Sequence, residues 1–150
     1  MKLFVLFVSL CCLKLSLTAG PVISLEEEEL DSFVQKKRIV MVEAYTPTCP
    51  HCKALAPEYL KAAKMAQKEK KPYFFVKIDA SRNPGIGKKL EVRGYPTMKL
   101  YVEGLPIEYE GNRSAEAIFS FIDKKSGPQS TLLKDLDELN KLIPAKGLRV

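Results

Sequence analysis

Residues 39–59 of the chain read IVMVEAYTPTCPHCKALAPEY. Up to Tyr45 this stretch is almost all apolar and rich in β-branched side chains, which predicts a strand buried on both faces, as in a parallel sheet. After a short loop, apolar residues recur at helical spacing and predict a helix from Cys49 to about Lys70. Cys49 and Cys52 therefore lie where a buried strand has ended and a helix begins.

A cysteine at a helix start is chemically activated. Cys49 faces unpaired backbone N–H groups and the positive end of the helix dipole, and both favour the thiolate. Such sites lower a cysteine pKa from about 8.5 to roughly 3.5–7.5. Pro50 suits the first helical turn, because no hydrogen bond is lost there. His51, the one histidine of the chain, adds a positive charge beside Cys49 when it is protonated. The spacing predicts a redox-active pair.

The first residues have the order of a signal peptide. Lys2 precedes the apolar stretch of residues 3–13, and small residues follow at positions 18–20. The stretch is too short to span a bilayer, and a buried N-terminal helix is the alternative. We predict a signal peptide over residues 1–19 and no membrane span after its cleavage.

Cleavage of that segment leaves a single cysteine pair. Cys11 and Cys12 lie within it, so Cys49 and Cys52 alone remain. A structural zinc site needs about four ligands, more than this pair and His51 provide. A structural disulfide over so short a loop would constrain little of the unfolded chain. We expect no metal and no cofactor.

The composition is that of a globular protein with one domain and a short extension. The chain has 150 residues, of which 46% are hydrophobic and 28% charged. Its formal net charge of +6 is spread out rather than gathered in a basic stripe, so nucleic acid is not an expected partner.

Strands and helices alternate along the rest of the chain. This alternation predicts an α/β fold with helices on both faces of a central sheet. One residue breaks the apolar pattern of the first buried strand: Glu43, an acid that is costly to bury unless it is paired or functional. The remaining expected elements are a helix opened by a Ser24–Glu27 capping box, strands at 73–78 and 98–102, a return strand at 107–109, a short helix near Asn83, and a last helix capped by Ser114.

Four motifs resemble the catalytic domain of the protein disulfide isomerase family. They are VEAY at residues 42–45, CPHCKALAPEY at 49–59, VKID at 76–79 and VRGYPT at 92–97. The resemblance runs over about residues 22–128 and implies a thioredoxin-like fold with a central mixed sheet. It also implies dithiol–disulfide exchange on cysteine-containing protein substrates. We therefore assign residues 20–128 to a catalytic domain. Residues 129–150 are an extension that resembles the start of a second, incomplete unit.

The resemblance also implies roles around the cysteine pair. Cys49 is the exposed attacking sulfur, and Cys52 is the resolving sulfur beneath it. Glu43 is the buried carboxylate that takes and returns the Cys52 proton. Lys77 is the partner of Glu43.

Further roles concern the segment before the predicted strand at 98–102. Arg93 modulates the pKa of Cys52, while Tyr95 and Pro96 bind substrate, with a cis peptide bond before Pro96. The family usually has Trp and Gly where this chain has Thr48 and Pro50. The Pro-His pair instead resembles that of a strongly oxidising bacterial periplasmic enzyme, which favours a more oxidising site and leaves the balance of oxidase and isomerase activity open.

The predicted location is the endoplasmic reticulum lumen or the outside of the cell. The last four residues, 147–150, are not a retention tetrapeptide. Glutathione or an oxidase is the expected redox partner, and Asn112 begins an Asn-Arg-Ser glycosylation sequon. Two alternatives are a non-catalytic thioredoxin-like chaperone or adaptor and a thioredoxin-like reductase.

Overall fold

Five strands and four helices alternate along residues 20–127, the part of the chain that the computed structural model describes. The predicted signal peptide, residues 1–19, and the predicted extension, residues 129–150, lie outside these residues. The elements are β1 Val22–Ser24, α1 Glu27–Lys36, β2 Ile39–Tyr45, α2 Pro50–Lys68, β3 Tyr73–Asp79, α3 Ile86–Lys89, β4 Thr97–Val102, β5 Leu105–Glu108 and α4 Ala115–Ser126.

The strands form one mixed sheet in the order β1-β3-β2-β4-β5. β3 runs parallel to both β1 and β2, whereas β4 runs antiparallel to β2 and β5. Because β2 is central, its residue Glu43 has Lys77 of β3 on one side and Met98 of β4 on the other. The predicted α/β architecture is confirmed, and β2 has the predicted bounds.

The two faces of the sheet carry separate apolar cores. Side chains alternate along a strand, so Met41 and Val42 point to opposite faces. Met41 packs in a core with Leu55 of α2 and Ile118 of α4, and Val42 packs in a core with Leu30 of α1. Helices therefore cover both faces, as the alternation of elements predicted.

α2 is held in place by polar contacts at neighbouring residues. The buried Tyr59 hydroxyl donates to the Met41 carbonyl oxygen at 2.8 Å and lies 2.9 Å from that of Val76. The Glu58 carboxylate accepts from the backbone N–H of Ala115 at 2.8 Å and so caps α4. These contacts fix α2 to the sheet and to the last helix.

The short strand β1 was not predicted. Its three residues pair in register with Phe75, Val76 and Lys77 of β3. Three residues are too few to show a strand period, so the pairing partner alone makes this segment a strand.

The predicted capping box at Ser24 and Glu27 is wrong. Ser24 ends β1, and the chain stays extended through the hydrogen bond from Leu25 N–H to the Lys77 carbonyl. α1 instead has Glu26 as its N-cap, in a capping box with Glu29. The other predicted cap is confirmed, since the hydroxyl oxygen of Ser114 accepts from the N–H of Ala117 at 3.3 Å.

Candidate dithiol site

The cysteine pair lies at the junction of β2 and α2. Cys49 is the N-cap of α2, with the extended backbone angles φ −70° and ψ 120°, and Pro50 is the first helical residue. The Cys49 N–H donates to the Thr46 carbonyl at 3.2 Å, which fixes the turn. Cys49 is half-buried, whereas Cys52, one turn later, has only 3% of its surface exposed.

The helix start lowers the pKa of the Cys49 thiol. The largest cause is the backbone N–H of Cys52, and the Cys52 side chain, the N–H of His51 and the charge of Arg113 act in the same direction. Partial burial of Cys49 opposes them. The two N–H groups belong to the second and third helical residues, which are among the unpaired donors at a helix start.

The environment of Cys52 has the opposite effect. Burial raises the pKa of its thiol to about 11, and the Cys49 sulfur and the Glu43 carboxylate add to the rise, while a hydrogen bond with the Thr46 backbone opposes it. A thiol with such a pKa stays protonated at neutral pH. The two sulfurs therefore differ in protonation as well as in exposure.

Glu43 is buried in β2 and acts electrostatically on Cys52. Only 4% of its surface is exposed, and burial raises its pKa to about 7, although the charge of Lys77 works against the rise. The Lys77 ammonium lies 5.7 Å from the centre of the Tyr45 ring, beside Glu43 in the register. A carboxyl group with this pKa can both give and accept a proton near neutral pH.

A second segment reaches the pair from before β4. The Cys49 thiol donates to the Tyr95 carbonyl oxygen at 3.5 Å. Pro96 is buried, and the Tyr95–Pro96 peptide bond is cis, in agreement with the conformation that the resemblance implies. The Thr97 hydroxyl donates to the Gly94 carbonyl at 2.7 Å and closes this turn.

The same segment is tied to the sheet at its other end. Lys99 of β4 is only 7% exposed, and its ammonium lies 3.0 Å from a carboxylate oxygen of Glu91. Glu91 itself is exposed and has a φ of 53°, in the left-handed region. This ion pair anchors the residue at which the chain turns towards Tyr95.

A polar cavity of about 180 Å³ opens beside Pro96. Its lining comprises residues 96–98, residues 108–111 and Arg113. Arg113 is not among the predicted site residues, although its charge helps to lower the pKa of the Cys49 thiol. No local pattern could have indicated this, because the fold alone brings the segment before α4 to the start of α2.

The structure thus brings together most of the predicted site residues. The charge of Glu43 acts on Cys52, and the carbonyl oxygen of Tyr95, which precedes Pro96, accepts from the Cys49 thiol. Outside this group, Arg93 is exposed before β4, and its influence on Cys52 stays a prediction. His51 is exposed beside the pair, and Asn112 is exposed before α4.

Between residues 20 and 127, no three His, Cys, Asp or Glu side chains form a group that could hold a metal ion. In the same range, no helix is long and apolar enough to cross a membrane.

Comparison with known proteins places this arrangement in a family. The thioredoxin family model matches residues 21–124. Protein disulfide-isomerase A4 of Mus musculus is 37% identical over 121 residues, which is 81% of this chain and 19% of that protein. Protein disulfide-isomerase of Drosophila melanogaster is 38% identical over 117 residues, 76% of this chain and 24% of that protein.

A solved structure agrees with the sequence matches. The first thioredoxin domain of mouse protein disulfide-isomerase A4 superimposes with a TM-score of 0.66 at 37% identity, covering 73% of this chain and 78% of that domain. The chain spans about a fifth to a quarter of the length of the curated relatives described above. By its sheet, its cysteine pair and these matches, the chain belongs to the thioredoxin family and has protein disulfide-isomerases among its relatives.

Proposed function

We propose that this chain is a thiol–disulfide oxidoreductase that forms and rearranges disulfides in secretory-pathway proteins, with Cys-Pro-His-Cys as its active site. The contrast between the two sulfurs carries the proposal. Cys49 is accessible and has a lowered pKa, while Cys52 is buried, has a raised pKa and lies near a carboxyl group that can exchange its proton. Relatives named protein disulfide-isomerase support the same reaction class.

In the oxidising direction the enzyme starts with a Cys49–Cys52 disulfide. A client thiolate attacks the Cys49 sulfur, the bond to Cys52 breaks, and Cys52 leaves as a thiolate that takes a proton from Glu43. A second client thiolate then attacks the client sulfur of the mixed disulfide, and Cys49 leaves as a thiolate. Two electrons have passed from the client to the enzyme, and the client has gained a disulfide.

In the reducing direction the Cys49 thiolate attacks a client disulfide and releases one client thiolate. The Glu43 carboxylate takes the Cys52 proton, and the Cys52 thiolate attacks the Cys49 sulfur to release the second client sulfur. Rearrangement follows when a thiol of the client itself attacks the mixed disulfide before Cys52 does. A Glu43 pKa of about 7 suits both directions.

The surrounding residues have supporting roles in this proposal. Lys77 moderates the pKa of Glu43, Arg93 moderates that of Cys52, and Tyr95 with Pro96 contacts the client chain beside Cys49. Glutathione disulfide or an oxidase returns the enzyme to its disulfide form. Cleavage of residues 1–19 would release the enzyme into the endoplasmic reticulum lumen or the secreted fraction.

Serine variants of the full chain test the assignment of the sulfurs. We expect Cys49→Ser to lose all exchange with a reduced, unfolded protein client. Cys52→Ser should accumulate mixed disulfides that non-reducing gels detect. At pH 7, iodoacetamide should alkylate Cys49 far faster than Cys52 in the reduced enzyme, because thiolates are the reactive form.

Thr48→Ser provides the control, since it changes an exposed neighbour of Cys49 without touching a sulfur. Turnover of Cys52→Ser at the wild-type rate would disprove the assignment. A wild-type chain that suppresses client aggregation but exchanges no disulfides would instead support the chaperone alternative.

A further inference from the structure

The segment between β5 and α4 forms one wall of the cavity beside the dithiol site. Tyr109, Gly111 and Arg113 line this cavity together with Pro96. Pro96 follows Tyr95, whose carbonyl accepts from the Cys49 thiol. A client joined to Cys49 therefore lies close to this wall, and a bulky group attached to the wall would stand in the path of a large client.

The wall has a defined conformation because both of its ends are held. The hydroxyl of the buried Tyr109 donates a hydrogen bond to the Asn112 carbonyl oxygen at 2.5 Å. A Cβ at Gly111 would come within 2.7 Å of that hydroxyl oxygen, so a larger residue would displace the contact. At the other end, Glu58 accepts from Ala115 N–H at 2.8 Å.

The exposed residue in the middle of this wall is a glycosylation acceptor by sequence. Asn112 is followed by Arg113 and Ser114, which completes the Asn-x-Ser sequon. Its two neighbours, Gly111 and Arg113, both line the cavity. Asn112 itself does not line the cavity but is exposed between these two residues, so an attached sugar chain would begin beside the cavity.

We propose that Asn112 carries an N-linked glycan that screens clients by size, admitting short or unfolded chains to Cys49 and hindering folded proteins. The inference rests on the proposed exchange activity and on export through the secretory pathway. The physical basis is steric. A short chain can thread past a bulky hydrated group at the rim, whereas a folded domain must displace it.

Ser114 offers matched variants that separate the glycan from the fold. Its hydroxyl oxygen caps α4 at the Ala117 N–H, so an alanine would remove the sequon and the cap together. Ser114→Asp removes the sequon but keeps a good N-cap residue, and Ser114→Thr keeps both. Asn112→Gln removes the sequon at its other end and leaves Ser114 in place.

The test expresses the full chain in secreting eukaryotic cells and measures intact mass before and after endoglycosidase treatment. Exchange is then followed with a short disulfide peptide and with a folded protein that has an exposed disulfide. We expect wild type and Ser114→Thr to carry the glycan. Its removal, or the Asn112→Gln and Ser114→Asp changes, should raise exchange with the folded client several-fold and leave peptide exchange unchanged.

Three results would overturn the inference. One is an unmodified Asn112 in an exported chain. Another is a glycan whose removal changes the exchange of both clients equally or of neither. The third is an absence of peptide exchange in every form, glycosylated or not. This result would refute the proposed function itself. It can be told apart from the first two because the mass of the glycan is measured independently of exchange.

Discussion

Glu43 has a carboxyl group in a strand whose neighbouring residues are apolar. Burial raises its pKa to about 7 from an ordinary value of 4.5, and the nearby Lys77 charge cancels only part of the effect. In the proposed mechanism, the same burial that disfavours its charge suits Glu43 to exchange a proton with Cys52 near neutral pH.

The Glu43 carboxyl should make folding stability depend on pH. Because its pKa is raised in the folded state, the folded chain holds a proton that the unfolded chain releases between pH 4.5 and about 7. The free energy of unfolding should therefore fall as pH rises through this window, by about 3 kcal/mol from this residue. Glu43→Gln should lose this fall, as urea unfolding at pH 4.5 and pH 8 would measure.

The same variant should slow the resolving step. Glutamine cannot take the Cys52 proton, so single-turnover release of a client from the mixed disulfide should be slower while capture by Cys49 is retained. Glu28→Gln, an exposed change in α1, is the control. Equal release rates in Glu43→Gln and wild type would remove Glu43 from the mechanism.

At the scale of elements, the start of α2 lowers the pKa of the Cys49 thiol. Pro50 occupies the first helical position with a fixed φ, and the next two N–H groups, of His51 and Cys52, lower the pKa of Cys49. Stabilising this thiolate stabilises the reduced enzyme but not the neutral disulfide. We therefore expect a well-ordered helix start to make the Cys49–Cys52 couple more oxidising.

Pro50→Gly should loosen this helix start and make the site less oxidising. The Cys49 pKa should rise, and the redox potential against glutathione should fall by about 30 mV per unit of that rise while the pKa lies below ambient pH. Pro57→Ala, which changes an exposed proline further along the same helix, should leave both quantities unchanged. If Pro50→Gly has the same Cys49 pKa and the same redox potential as wild type, Pro50 does not set the redox properties of the cysteine pair.

The position of the segment before β4 depends on an ion pair between that segment and β4. The Lys99–Glu91 ion pair fixes the start of the turn that brings Tyr95 and Pro96 to Cys49. Lys99→Met keeps an unbranched side chain but removes the charge, so the turn should become less well positioned. We expect a higher KM for protein clients, a nearly unchanged kcat and an unchanged Cys49 alkylation rate.

Lys71→Met is the matched control for this change. Lys71 also pairs with a carboxylate, that of Asp123. It lies just before β3, at the end of this strand that is farther from the cysteine pair. Lys99→Arg should restore the KM, because it returns a cation to the same place. A KM that rises equally in the Lys71 and Lys99 variants would mean that the ion pair has no positioning role.

At the scale of the whole molecule, the site is assembled from three distant segments. The junction of β2 and α2 supplies the sulfurs, the turn before β4 supplies Tyr95 and Pro96, and the segment before α4 supplies Arg113. Residues 1–19 and 129–150 lie outside the described residues. The predicted export of the chain would determine whether the site meets oxidised or reduced clients.

Residues 1–19 should direct the chain into the secretory pathway and then be removed. Mass spectrometry of the exported protein should show a new N-terminus after Ala19 or Gly20. Leu6→Arg should abolish export, because it places a charge within the apolar stretch, whereas Leu6→Ile should not. Retention of residues 1–19 in exported wild-type protein would refute the prediction.

Much of the site was predictable from local sequence. β2 was predicted with its observed bounds, because a short apolar run rich in β-branched residues is typical of a strand buried inside a sheet. The position of Cys49 and Cys52 at a helix start followed from the loop and the helical spacing after it. These features are local, since burial pattern and helix capping are decided within a few residues.

Tertiary structure alone decided the rest. β1 exists because β3 offers it a partner, and with this pairing in place the N-cap of α1 is Glu26 rather than the predicted Ser24. The buried side-chain amide of Asn83, distant in sequence, accepts from the Glu27 N–H and donates to the Glu26 carboxylate. The charge of Arg113 likewise acts on Cys49 from a distant part of the chain. Hydrogen-bond partners, desolvation and charge all depend on which distant groups become neighbours, and no local pattern encodes that.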